Sequence, residues 1–145
     1  MNNASVQERV AYNIGLVVIR SQYLEKNLKL IVAAMKQIDA NTLPGRLDSM
    51  QRRPLGQVVK EFVAGTTVQG GNIADVETYF SRLVSRRNDV VHHFFEAFGA
   101  DLAAGNEKRV LRELARLCED LLHVAECFRG VNDAFLDNLQ VSKPN

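Results

Sequence analysis

The chain has 145 residues, about one domain's length, with 46% hydrophobic and 24% charged residues, the balance of a folded globular chain and not of a disordered one. Its apolar runs, such as Leu16 to Ile19, are far short of the roughly 20 residues a bilayer-spanning helix needs, and the opening residues MNNASVQER hold no basic stretch followed by an apolar one, so neither a membrane anchor nor a secretory leader is expected. Eighteen basic against 17 acidic side chains leave a net charge of +1, which excludes a protein that coats nucleic acid by bulk charge. The expectation is a single domain, 1–145, soluble and cytoplasmic.

In chain order, Ser5 followed by Glu8 reads as a capping box, and Val6, Val10, Ile14, Val17, Leu24, Leu28, Ile31, Met35 and Ile38 recur at helical spacing. A first helix of thirty-odd residues is predicted, failing near Asn41-Thr42-Leu43-Pro44-Gly45. Arg46 to Pro54 reads as a polar connection. LGQVVKEFVA, residues 55–64, makes a short second helix that turns Leu55, Val58, Val59 and Phe62 inward, and 65–72 is a loop. A third helix runs from Ile73 towards Phe98 on the seam Val76, Phe80, Leu83, Arg87, Val90 and Phe94, with its stop signals at Gly99 and Gly105. The fourth, Glu107 to about Leu139, keeps Val110, Leu114, Leu117, Leu121, Val124, Phe128, Val131 and Phe135 in three–four alternation. No segment alternates as a strand does. The fold class expected is all-α, an up-down bundle of four main helices with a short second one.

Charge is unevenly spread. Arg46, Arg52, Arg53 and Lys60, then Arg82, Arg86 and Arg87, form a mildly basic centre, while the last third is acid-rich. Cys118 and Cys127 sit nine residues apart on one predicted helix, ~13.5 Å along its axis and on opposite sides, so they do not bridge each other. No CxxC or Cys/His cluster is present, and no metal or other cofactor is expected.

Arg87 breaks the apolar rule of its own seam. A guanidinium there is costly unless paired or hydrogen-bonded. Two readings stand: a structural one, in which it salt-bridges Glu25 on the first helix or snorkels to the surface, and an anion site. Around it lie Arg86, Asn88, His92, His93 and Phe94-Phe95. Histidine titrates near neutrality and suits proton transfer; arginine presents a planar fork of donors that matches a phosphate. On a continuous helix Asn88, His92 and Glu96 share one face.

The stretch Arg87-Asn88-Asp89-Val90-Val91-His92 resembles the active-site motif of the HEPN superfamily (higher eukaryotes and prokaryotes nucleotide-binding domains): an arginine with a polar residue after it, four to six residues, then a histidine. Arg86 to His92 and Arg87 to His93 also fit the spacing, and Asn88 favours Arg87. The resemblance implies a helical bundle that dimerises and joins two copies of the motif in a cleft. It also implies either a metal-independent endoribonuclease, of the sort found in toxin–antitoxin and phage-defence systems, or a non-catalytic module that binds nucleotide, RNA or protein. Carried over, His92 is the general base on a ribose 2′-hydroxyl, Arg87 holds the phosphate, Asn88 orients it and His93 assists or serves as acid. Arg86, Arg82 and Glu96 line the substrate site. The expected product end is a 2′,3′-cyclic phosphate, and DNA resists cleavage because it lacks the 2′-hydroxyl. Relatives in one toxin–antitoxin branch carry a tyrosine two residues after the histidine; Phe94 stands there in this chain. Five residues of straight helix place Arg87 and His92 about 140° apart and ~7.5 Å along the axis, so a kink, flexible side chains or a dimer axis must bring them together; the dimer is the expectation.

Overall fold

The computed structural model describes residues 4–35, 41–66 and 71–141, with no side-chain description beyond 138. The described residues form six helices and no strand: α1 Val6–Ala34, α2 Leu43–Met50, α3 Leu55–Gly65, α4 Ile73–His92, α5 Phe94–Ala103 and α6 Glu107–Val141. The all-α class holds. The Ser5 hydroxyl accepts from the Glu8 amide at 3.2 Å and the Glu8 carboxylate accepts from the Ser5 amide at 2.6 Å, so the capping box starts α1 as the sequence indicates.

Boundaries differ from the sequence expectation at Pro44, His93 and Gly99, while the predicted end of the first helix near Ile38 lies outside the described residues. The breaker cluster opens α2 instead of a connection, because Pro44 falls in its first turn, where a missing amide hydrogen costs nothing. The third predicted helix divides at His93, whose φ of −132° and ψ of 32° depart from helical values. Gly99 does not end α5. Gly105 does, at φ 78°: its amide donates to Leu102 O at 3.2 Å and the Asn106 amide donates to Asp101 O at 2.8 Å, the paired bonds of a Schellman stop.

Helix directions also differ from an up-down order. The Cys118 thiol donates to Asn13 O at 3.6 Å and the Asn132 amide donates to Asn27 O at 2.9 Å, and both contacts link residues 105 apart in sequence. A constant offset means that α1 and α6 run parallel, whereas the first and fourth helices of an up-down bundle are antiparallel. Against α6, α4 is antiparallel: Arg86 pairs with Asp120 and Phe80 stacks on Phe128. Against α4, α3 is antiparallel, with Phe62 on Phe80 and Gly56 beside Val84. The long helices α1 and α6 therefore point one way with α3, and α4 runs the opposite way.

The buried apolar residues form one connected cluster from α1, α2, α3, α4 and α6, centred on Val17, Leu24, Leu28, Val58, Leu83, Val110, Leu114 and Leu121. Burying each leucine contributes about 1.5–3 kcal/mol. Ser21 fills the seam position left open between Val17 and Leu24; it is buried and its hydroxyl donates to Val18 O at 2.9 Å. The α6 seam holds as far as Phe128 and then shifts: Val131 is exposed and Asn132 is buried. A strict seven-residue repeat drifts ~20° per heptad on a straight helix, and three heptads carry Val131 out of the seam.

Candidate functional site

The residues singled out by sequence lie on the second half of α4 and the bend that follows it. Leu83 and Val90, buried, fix which side of α4 faces the core. Arg87 lies between them, half-buried, and its Nε is enclosed without a hydrogen-bond partner. The structural reading through Glu25 fails, since that carboxylate pairs with Lys29 at 2.8 Å. Among the described residues no carboxylate comes within ion-pair distance of Arg87. Its guanidinium instead donates one N–H to the Asn88 side-chain oxygen at 2.9 Å. That bond draws the charged head off the core side of α4 towards the face that Asn88, one turn before, shares with His92.

His92 and His93 are both exposed, their ring centroids 6.3 Å apart and edge to face. The bend comes after His92, so Arg87 to His92 is uninterrupted helix and their separation around the axis persists within the chain. The bend re-aims α5, and Glu96, exposed in its first turn, does not continue the Asn88–His92 face. Phe94 and Phe98 pack on the core with their rings 5.3 Å apart, while Phe95 stands out in solvent.

The two flanking arginines separate. Arg86 is held by Asp120 of α6 at 2.7 Å, an ion pair that ties α4 to α6, and Arg82 is exposed one turn earlier. Tyr79 lies near the same pair; burial and then the Asp120 charge push its hydroxyl pKa up. Among the described residues no group of three or more His, Cys, Asp or Glu side chains gathers as a metal site would, and none of their helices is long and apolar enough to cross a membrane.

Sequence reasoning missed a groove between α3 and α4. It measures about 310 Å³ and is lined by Gly56, Val59 and Lys60 of α3 and Ser81, Val84, Ser85, Asn88 and Asp89 of α4. Ser81, Ser85, Asn88 and His92 are spaced four, three and four, a polar stripe with the same period as the apolar seam. That spacing was the available signal, and only packing against α3 shows that the stripe borders a hollow. The fold thus sets Lys60, from the basic stretch 46–60, beside the motif residue Asn88.

No protein-family model matches the chain, and no curated protein and no solved structure is significantly similar to it.

Proposed function

We propose that the chain is a HEPN-type endoribonuclease, cytoplasmic and homodimeric, that cleaves RNA without a metal ion and serves in a toxin–antitoxin or phage-defence system. The observation that carries the reading is the half-buried Arg87, free of any carboxylate among the described residues and hydrogen-bonded to Asn88 on the face of His92. A guanidinium left without a counter-charge in a partly dry setting is a strong anion site. In this reading Arg87 holds the scissile phosphate and stabilises the charge that develops on it. Exposed His92 takes the 2′-hydroxyl proton, Asn88 orients the phosphate, and His93 returns a proton to the leaving 5′-oxygen. Because Arg87 and His92 diverge on unbroken helix, the pair that acts on one phosphate comes from two protomers.

The test is cleavage of mixed cellular RNA in EDTA. Wild type is expected to leave 2′,3′-cyclic phosphate ends and to spare DNA, and His92→Ala to lose about 10²–10⁴-fold in rate. Mixing Arg87→Met with His92→Ala protein restores activity in part if the site is shared, because a mixed dimer keeps one intact pair. Failure of wild type to cleave any RNA overturns the proposal.

The divergence of Arg87 and His92 within one protomer favours a second reading, a module that binds RNA, nucleotide or an antitoxin-like protein without cutting. RNA binding that survives His92→Ala, with no cleavage in either protein, selects it.

A further inference from the structure

The α3–α4 groove has a chemistry of its own. Its floor is apolar, from Val59, Val84 and the bare backbone of Gly56, and its rim carries one cation, one carboxylate, two hydroxyls and one amide. Lys60 and Asp89 make no ion pair with each other or with any other described residue, so both charges are available to a ligand. Asn88 has a fixed orientation: an arginine N–H only donates, so the Asn88 oxygen must face Arg87, which leaves the amide NH₂ as a donor. The lining of the groove thus includes a donor at 88 and a double acceptor at 89 together with the apolar Val59, Val84 and Gly56.

We infer that this groove is a subsite for a guanine nucleotide of a single-stranded RNA, the base lying over Val59, Val84 and Gly56. The Watson–Crick edge of guanine presents one acceptor, O6, followed by two donors, N1–H and N2–H. One of the two Asn88 Nδ2 hydrogens serves the acceptor, the other remaining for the phosphate, and the two Asp89 carboxylate oxygens serve the donors. Adenine and cytosine each place an acceptor where the central donor is needed, and uracil lacks the second donor. Lys60 takes the phosphate and Ser81 and Ser85 lie within the same hollow for the ribose hydroxyls. A volume of about 310 Å³ suits one nucleotide, at the low end of the roughly 300–1,000 Å³ of small-ligand sites. The inference rests on the ribonuclease reading only for the word RNA: the polar stripe from Ser81 to His92 leads from this groove to the motif, so a guanosine held here lies next to the cut.

The experiment is an NMR titration of the ¹⁵N-labelled protein with guanosine, adenosine, cytidine and uridine 5′-monophosphates in turn, repeated on Gly56→Leu and Asp89→Asn. Guanosine monophosphate is expected to shift the amides of residues 56–60 and 81–89 and to bind at least about tenfold tighter than the other three, the discrimination of one bidentate base contact. Gly56→Leu should abolish binding while keeping the fold, since leucine outranks glycine in helix propensity and a Cβ at 56 meets Val84 Cγ1 at an ordinary 3.9 Å. Asp89→Asn should remove the preference for guanine. Shifts elsewhere only, equal binding of all four, or full binding by Gly56→Leu overturns the inference. The two proposals separate cleanly: RNA cleavage without guanine preference at the cut, unchanged by Gly56→Leu, sinks the groove and leaves the nuclease. Guanine-selective binding with no cleavage does the reverse.

Discussion

At the scale of the single residue, Arg87 is where stability and chemistry pull apart. Its enclosed Nε lacks a partner, and an unmet buried donor costs about 1–3 kcal/mol. Arg87→Met keeps the apolar stem, so urea unfolding should show a stability equal to or up to about 1 kcal/mol above wild type, while phosphate affinity disappears. A loss of more than about 2 kcal/mol would mean the guanidinium holds the fold together. The cysteines divide in a similar way. Cys118 is buried, and burial pushes its thiol pKa up, whereas Cys127 is exposed. A thiol reagent at neutral pH should modify Cys127 alone until the protein is unfolded, since only the accessible thiolate reacts. As for the candidate site, Arg87 stands out in the sequence as a breach of an apolar period, and Asn88, His92 and His93 by their spacing from it. The engagement of Arg86 by Asp120 was not, since residues 34 positions apart meet only through the antiparallel return of α4 on α6.

At the scale of elements, periodicity foretold most helices and none of their directions. A seam of fours and threes reads the same from either end, so the parallel course of α1 and α6 emerges only from Asn13 with Cys118 and Asn27 with Asn132. The α4–α5 bend was equally hidden. His93 is neither glycine nor proline, and Phe94, which also falls on the seam of a straight helix, packs on the core with Phe98 beyond the bend. The proline at 44 misled in the other direction, since one residue type both ends helices and begins them. The Asn27–Asn132 contact fixes the register of the two long helices deep in the protein, both residues being buried. Asn132→Ala leaves the Asn27 carbonyl without its side-chain donor and should cost about 1–3 kcal/mol in chemical unfolding. Ser5→Ala, which removes one reciprocal bond of an exposed cap, should cost about 1 kcal/mol.

Across the whole molecule, two groups contribute to a loss of stability in alkali. The Cys118 thiol and the Tyr79 hydroxyl both have pKa values raised in the folded state, each chiefly by burial. Below their unfolded values, about 8.5 for a thiol and 10 for a phenol, both are protonated in either state and the fold keeps its full stability. As pH rises past those values the unfolded chain ionises first and binds fewer protons, so stability falls. Melting temperature should therefore decline from about pH 8.5 upwards, and less steeply in Cys118→Ala with Tyr79→Phe than in wild type; parallel declines would remove these groups as the cause. The parallel union of α1 with α6 has a different reach. Its contacts join residues 105 positions apart, and such distant closure slows folding relative to helical hairpins that zip locally. During synthesis the ribosome delivers α1 well before α6, its main partner. The side of α1 that α6 covers must wait, wet, until residues about 105 positions further on have left the exit tunnel.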